Sequence, residues 1–386
     1  MAASQPTTGS SPPAAAAAAA SAPATSAPQP VTLEADDEEA LLDDSDSALG
    51  SENGSSTTSL ASSITKYRLE NGRTYHAYKD GKYVFPNDEP EQERLDLQHH
   101  ICSITFDGRL FSCPIDAAST KRVLDVGCGT GIWVTDYADE WPQASVLGID
   151  LSPIQPAFVP PNAQFQVDDA EEDWTFGESF DFIYARMMTG SLQNWDRFFD
   201  QCYKKKNHNF ILYFILQSWG FRTGGTKRYD SQELINMTPG GWVELLDICL
   251  PFESADDTLK KDSALLKWSQ LLLEGSVKAG RDLNSCLKYK EQLTKRGFVN
   301  VTETVYKWPC NKWPKDAKAK ELGMWNLENL SNGLSGLSIA TFTRLLGWTV
   351  DELEVFLVDV RKDLKDTKIH SYIPIYVVYA QRPEES

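Results

Sequence analysis

A glycine-rich loop at Val123–Gly131 constrains the fold of this chain more than any other segment. An apolar strand runs into Gly127, Gly129 and Gly131, which occupy every second position, and an apolar helical pattern begins at Ile132. Glycine permits a sharp turn and keeps the loop clear for a ligand, which would face the loop amides and the helix N-terminus. The spacing is neither the dinucleotide-binding G-x-G-x-x-G nor a Walker loop, so phosphate binding is the weaker interpretation.

Acidic residues end the next two predicted strands. The second strand ends in Asp150, where a carboxylate can accept both hydroxyls of a ribose. The third strand ends in Asp168 and Asp169, which can accept from an adenine amino group. A fourth strand, Ser179–Arg186, is predicted to emerge at the same edge of a parallel sheet. Four strand ends in this order favour a nucleoside ligand over a tight turn without a ligand.

Three longer strings narrow the interpretation. They are Glu-Asn-Gly-Arg-Thr-Tyr-His at 70–76, Asp-Asp-Ala-Glu-Glu-Asp-Trp at 168–174 and Pro-Gly-Gly-Trp-Val-Glu at 239–244. Together with the glycine loop they resemble the class I S-adenosylmethionine-dependent methyltransferases, and among these the LaeA-like proteins of filamentous fungi. That group includes a nuclear regulator of secondary metabolism and many enzymes encoded in natural-product gene clusters. The resemblance runs from about Ser62 to Arg382, apart from one segment.

The resemblance implies an α/β fold with a doubly wound, seven-stranded, mostly parallel, Rossmann-like sheet, and S-adenosyl-L-methionine as cofactor. It implies no metal, and it identifies no catalytic base. Nine residues match the family's cofactor-binding positions: Asp125, Gly127, Gly129 and Gly131 at the methionine end, Asp150 at the ribose, Leu151 beside the adenine, Asp169 and Ala170 at the adenine edge, and Arg186 near the methionine part.

Several aromatic and histidine residues have two interpretations each. Tyr75 either closes over the cofactor or packs in the core. His76 is the best candidate for a base, although a hydrogen-bonded structural role is favoured. Trp133, Trp325 and Tyr372 could shape an apolar acceptor pocket, but aromatic residues at such positions are usually core residues.

Composition predicts one enzyme domain behind an acidic tail. Residues 1–60 are rich in Ala, Ser, Pro and Thr and carry half of the formal net charge of −18, without any Lys or Arg, so disorder is expected there. We predict an N-terminal cap region at 61–120 and a methyltransferase domain at 121–382. The acidic stretch Asp36–Asp46 is interpreted as a solvated tail rather than a partner-docking motif. An acidic body argues against nucleic-acid partners.

No segment predicts a membrane span or a secretion signal. No apolar run approaches about 20 residues, and the alanine run at 14–20 has no basic flank. The seven cysteines lack Cys-x-x-Cys pairs, which favours reduced thiols in the cytoplasm or nucleus and argues against a zinc site. Cys128, inside the glycine loop, is expected to pack rather than react.

One segment departs from the family pattern. About 30 residues, roughly 205–235, lie between a predicted helix and the Pro-Gly-Gly string, where related enzymes need only a few. An added lid, an inserted element on the sheet edge and a translated intron are the three interpretations, and the last is slightly favoured because joining Lys204 to Asn236 restores the family spacing.

Two functional hypotheses remain open from the sequence. The favoured one is an enzyme that methylates a small natural-product acceptor on oxygen, nitrogen or carbon. The alternative is a LaeA-type nuclear regulator of secondary metabolism that acts through a protein complex.

Overall fold

The computed structural model describes residues 67–203 and 236–384. The predicted tail at 1–60 and the atypical segment at 205–235 therefore lie outside the described residues. Strands and helices alternate in only part of this region, because irregular segments alone join Asp150 to Ala163 and Val167 to Phe180. The elements are β1 (Arg68–Glu70), β2 (Arg73–Tyr75), α1 (Glu89–Thr105), β3 (Arg122–Val126), α2 (Ile132–Glu140), β4 (Ser145–Asp150), β5 (Ala163–Val167), β6 (Phe180–Arg186), α3 (Trp195–Tyr203), β7 (Met237–Ile248), β8 (Glu253–Ser254), α4 (Ala264–Lys278), α5 (Tyr289–Lys295), β9 (Val299–Pro309), α6 (Ala317–Ala340), α7 (Val350–Lys365) and β10 (Ser371–Gln381).

The main sheet has the order β5-β4-β3-β6-β7-β10, with β9 paired to the outer side of β10. Strands β3 to β7 run parallel, whereas β10 is antiparallel to both β7 and β9. The strand order reverses at β3, which has β4 on one side and β6 on the other. Ligands of such sheets bind at the carboxyl ends of the strands beside this reversal. The seven predicted long strands are confirmed, and the two-residue β8 adds an eighth.

The last predicted strand contains Pro374, which favours a position at or near an edge of the sheet, and β10 lies next to the edge strand β9. The carbonyl of Pro374 accepts from the Cys249 amide at 2.9 Å. In an antiparallel strand the nitrogen of a residue points to the same side as its carbonyl, so the proline nitrogen faces the side where β7 has just ended. The missing N–H of Pro374 therefore removes no bond to β9.

Proline followed by two glycines at 239–241 predicts a turn before the fifth strand of the main sheet, and that prediction is wrong. Strand β7 begins at Met237, so Pro239, Gly240 and Gly241 lie inside it. The pairing with β6 shifts register here, and Gly240 has a φ of +76°. A local bulge therefore accommodates the proline and the glycines within the strand.

The core fills both faces of the sheet. One face packs against α3 and α5, and α2 packs against the other together with the segment after α1. Helices α4, α6 and α7 form a further apolar layer over the β7–β10–β9 end. All seven cysteines are buried and free of disulfides, and Cys128 packs in the core as predicted. Within 67–203 and 236–384, no helix is long and apolar enough to cross a membrane.

The two flanks of the atypical segment are already adjacent. The Asn236 side chain donates to the carbonyl of Gln201 at 2.7 Å, and the Asn236 carbonyl accepts from the Phe180 amide at 2.7 Å. Deleting residues 205–235 is therefore expected to leave the fold intact, with a melting temperature within a few degrees of the full chain. Thermal unfolding followed by circular dichroism checks this. Loss of the cooperative transition would contradict it.

Candidate functional site

The three loop glycines have left-handed backbone but different surroundings. Gly127, Gly129 and Gly131 have φ of +73°, +56° and +81°. A Cβ at Gly131 would lie 2.4 Å from Cζ of Phe165, and one at Gly127 would lie 2.1 Å from Sδ of Met188. A side chain at Gly127 or Gly131 would therefore collide with Met188 or Phe165. A Cβ at Gly129 would lie 3.4 Å from Cδ1 of Leu95, an ordinary van der Waals distance.

Helix α1 lies directly over the glycine loop. Oγ1 of Thr130 donates to the Asp96 carboxylate at 2.6 Å, and the contact nearest to a Cβ at Gly129 is Cδ1 of Leu95. The N-cap of α1 is Asp88, which Arg73 binds through two nitrogens at 2.5 and 2.6 Å. The helix is thus anchored to both the loop and the N-terminal hairpin.

The Asp150 carboxylate joins the second strand to the glycine loop. Its Oδ2 accepts from the Gly129 amide at 2.9 Å, and its Oδ1 accepts from the Ser152 amide at 2.8 Å. Burial raises the pKa of Asp150 to about 6. An ionised carboxylate has about four lone-pair sites, so each oxygen can still accept one further hydrogen bond. The two hydroxyls of a vicinal diol can donate one hydrogen bond to each of these oxygens.

A cavity at the carboxyl ends of β3 to β6 brings together seven of the nine predicted cofactor residues. Asp125 and Gly131 are not among its lining residues: Asp125 is buried within β3, where burial raises its pKa to about 7, and Gly131 precedes α2. The seven that line the cavity are Gly127, Gly129, Asp150, Leu151, Asp169, Ala170 and Arg186.

Asp169 has a cationic partner that the sequence did not indicate. The Lys82 ammonium forms an ion pair with Oδ2 of buried Asp169 and lies 3.1 Å from Oε2 of Glu171. Glu171 in turn accepts from the Gln193 amide at 2.7 Å, just before α3. Lys82 belongs to a segment that lines the cavity together with Tyr83 and other residues up to 87. The N-terminal cap therefore closes one side of the site.

A second unpredicted network orients Arg186. Its Nη1 donates to Nδ1 of His99 at 3.2 Å, and Nε2 of His99 lies 2.9 Å from the Asp136 carboxylate. An imidazole that accepts at Nδ1 and donates at Nε2 is neutral, and burial lowers the pKa of His99 accordingly. Arg186 is thus fixed at the end of β6, where it lines the cavity.

Five residues considered from the sequence lie outside the cavity lining. Tyr75 is buried beneath the Arg344 guanidinium at 4.7 Å, and His76 is buried with Nε2 3.3 Å from the Lys79 carbonyl. Burial lowers the pKa of His76. The core interpretation of Tyr75 and the structural interpretation of His76 therefore fit the structure better.

The three proposed pocket aromatics are likewise not pocket residues. Trp133 stacks on Tyr184 with ring centroids 4.2 Å apart and donates to the Leu110 carbonyl. Trp325 and Tyr372 are also absent from the cavity lining. The acceptor-pocket interpretation of these three residues is wrong, because tertiary packing directs them into the core or away from the cavity.

Beyond Arg186 the cavity continues into an apolar end. Residues from the ends of β7, β9 and β10 and from α4 and α6 form its walls: Ile248, Leu250, Phe252, Trp268, Leu272, Trp308, Leu330, Leu337 and Ile373. In the described part of the chain, no group of three or more His, Cys, Asp or Glu side chains could hold a metal ion.

Comparison with known proteins identifies the family. A model described as a methyltransferase domain matches residues 97–303, more than half of the chain. Over 330 residues the chain is 36% identical to the methyltransferase pytC of Aspergillus terreus, covering 85% of this chain and 92% of that protein. The chain belongs to the LaeA-like methyltransferases. The secondary metabolism regulator LAE1 of Cochliobolus heterostrophus is 35% identical over 323 residues, covering 82% of this chain and 95% of that protein.

A solved methyltransferase is more distantly similar. Phosphoethanolamine N-methyltransferase 2 of Haemonchus contortus, in complex with S-adenosyl-L-methionine, has a TM-score of 0.38 and 15% identity, covering 79% of this chain and 55% of that chain. Membership of the LaeA-like methyltransferases confirms the predicted fold class, the methyltransferase activity and the S-adenosylmethionine cofactor.

The residues of this LaeA-like methyltransferase fit that cofactor. Asp150 keeps two free acceptor sites for a ribose diol, and Gly129 leaves open the space that a Cβ would take beside Leu95. Leu151 and Ala170 add apolar surface to the same lining. Bound cofactor supplies an electrophilic methyl group on a sulfonium.

Proposed function

We propose that this methyltransferase transfers a methyl group to a small-molecule acceptor of fungal secondary metabolism. The observation that carries the proposal is the continuous cavity, which has nucleoside-binding features at one end and an apolar wall at the other. The relatives support it, because pytC and the probable methyltransferase tdiE of Emericella nidulans are named as methyltransferases. A cytoplasmic or nuclear location belongs to the same proposal.

We assign cofactor roles to the nine residues on this basis. Asp150 accepts the ribose hydroxyls, while Leu151 and Ala170 flank the adenine and Asp169, held by Lys82, borders its edge. The remaining five act at the methionine end: Gly127, Gly129 and Gly131 shape the loop, Asp125 supports it from β3, and Arg186 lies near the methionine carboxylate.

Positioning is the main contribution of the chain to catalysis. No histidine is present among the described residues that line the cavity. Holding the acceptor at near-attack distance from the methyl group can supply much of the rate enhancement. An acceptor that must lose a proton would release it to solvent or to a neighbouring carboxylate.

A regulatory role is the second candidate. The similarity to LAE1 favours it as strongly as the similarity to pytC favours the enzyme. In that case the chain would act through a protein partner. Genes for a polyketide or peptide synthase beside this one would support the biosynthetic role.

Metabolite profiling of a deletion strain, fed with methionine labelled on its methyl group, tests the proposal. We expect one labelled product to disappear and its unmethylated precursor to accumulate. Silencing of many unrelated metabolites without such a precursor would instead support the regulatory role and contradict the proposed one.

Cofactor affinity is expected to depend on pH through Asp150. Its pKa of about 6 means that about nine-tenths of this group is protonated at pH 5, whereas nearly all of it is ionised at pH 7.5. Because the ionised form accepts the ribose hydroxyls better, S-adenosylhomocysteine should bind about tenfold more weakly at pH 5. Calorimetry at both pH values checks this, and Asp150→Asn should remove most of the dependence. An equally steep dependence in that variant would show that another group is responsible.

A further inference from the structure

A buried ion pair lies in the wall of the cavity on α1. Nε and Nη2 of Arg94 donate to the two carboxylate oxygens of Glu91 at 3.0 and 2.7 Å, and Nη1 donates to Oδ1 of Asn329 at 3.0 Å. Arg94 is 6% exposed and Glu91 2% exposed, and both line the cavity. The stem of Arg94 crosses α6 at Gly333, where a Cβ would lie 2.6 Å from its Cδ. The fold therefore provides a specific place for this guanidinium.

The contacts described above leave some N–H groups of the Arg94 guanidinium unused. Arginine carries five N–H groups, and the contacts to Glu91 and Asn329 use three of them. A ligand in the cavity can therefore accept from the remaining N–H groups. Glu91 already balances the charge of Arg94, so a ligand carboxylate would bring an uncompensated negative charge into a buried site, at high cost.

The indole N–H groups of the two tryptophans in the apolar walls already donate to side chains of the protein, so neither is left to bind a ligand. Nε1 of Trp268 donates to Oγ of Ser338 at 2.7 Å, and Nε1 of Trp308 donates to Oγ1 of Thr105 at 2.8 Å. Both indoles therefore present hydrocarbon surface to the cavity, beside Phe252 and Leu272. Such walls favour a flat, largely apolar ligand.

We propose that the methyl acceptor is an uncharged, aromatic, largely apolar small molecule that bears a carbonyl or hydroxyl oxygen, and that Arg94 binds this oxygen. The inference rests on the proposed function and names the substrate class of the same cavity. A lysine side chain of a protein is a poor fit, because both oxygens of Glu91 are taken by Arg94. Arg94 is thus a specificity-determining residue, with Glu91 and Asn329 as positioning residues.

Four defined probes test the substrate class. The full chain, saturated with S-adenosylhomocysteine, is titrated by calorimetry with 2-naphthol, naphthalene, 2-naphthoate and a lysine-rich peptide. We expect 2-naphthol to bind at least tenfold more tightly than the other three. Equal or tighter binding of naphthalene, naphthoate or the peptide would overturn the proposal. Failure of S-adenosylhomocysteine to bind would instead overturn the proposed function itself.

Two variants locate the binding. Leu330→Trp fills the apolar end of the cavity and should abolish 2-naphthol binding, whereas Met324→Trp makes a similar change on the same helix outside the lining and should leave it intact.

The double variant Glu91→Gln with Arg94→Gln avoids a lone buried charge and should reduce the preference for 2-naphthol over naphthalene to less than threefold. Retention of the full preference in the double variant would rule out Arg94 as its source. S-Adenosylhomocysteine binding reports the folding of every variant.

Discussion

Replacing Asp150 with alanine is expected to weaken S-adenosylhomocysteine binding by about 100-fold or more. The carboxylate holds the Gly129 and Ser152 amides and keeps two acceptor sites for the ribose. Its removal leaves two ribose hydroxyls without their acceptor and releases the loop amides, which together cost about 2–4 kcal/mol. Each 1.4 kcal/mol corresponds to about a tenfold change in the dissociation constant. Isothermal titration calorimetry measures the effect.

Two further variants test whether the Asp150 carboxylate itself causes this loss of affinity. Asp139→Ala removes an exposed acid from the helix that follows the loop and should change the affinity less than twofold. Asp150→Asn keeps one carbonyl acceptor and should lie between the alanine variant and the native chain. An affinity for Asp150→Ala within threefold of the native value would refute the ribose assignment.

Replacing Arg94 with methionine is expected to destabilise the chain by about 3–5 kcal/mol. Glu91 is 2% exposed, and Arg94 supplies both hydrogen bonds to its carboxylate. Without that partner a buried carboxylate must either remain unpaired or take up a proton. Urea unfolding followed by tryptophan fluorescence measures the loss in the free energy of unfolding.

A double variant and a surface control separate charge from packing. Combining Arg94→Met with Glu91→Gln removes the lone charge and should recover at least half of the lost stability. Arg361→Met breaks an exposed ion pair with Glu354, 3.6 Å long, and should cost less than about 1 kcal/mol. If the double variant were no more stable than Arg94→Met, the buried charge would not be the cause.

The sequence predicted the parts of the site that local patterns define. Asp150 and Arg186 end apolar strands, and the glycines follow one. Because these strands run parallel, their carboxyl ends lie at the same edge of the sheet. Apolar runs likewise predict the long central strands. The spacing from Thr349 to Glu352 predicts a capping box, and the structure has one at the start of helix α7.

Contacts between distant segments could not be predicted. Asn329 lies 235 positions after Arg94, and Asp169 lies 87 positions after Lys82. No periodicity or spacing links such pairs, because the fold alone brings them together. The same limit explains Trp133, whose helical position does not reveal that it stacks on Tyr184 in the core.

The Pro-Gly-Gly string shows how local signals fail within a sheet. Proline and glycine normally end an element, but here a register shift between β6 and β7 keeps Pro239 within a strand. The Gly240 amide bonds to the Arg382 carbonyl at 3.1 Å, and the Arg382 amide bonds to the Gly241 carbonyl at 2.8 Å. Backbone pairing with the end of the chain thus outweighs the turn propensity.

Calorimetric titration of the full chain with S-adenosyl-L-methionine tests the central claim most directly. We expect saturable binding of one molecule per chain with a micromolar dissociation constant, and competition by S-adenosylhomocysteine. A chain that unfolds cooperatively on heating yet shows no binding of either compound would contradict the claim that the cavity at β3 to β6 is a methyl-donor site.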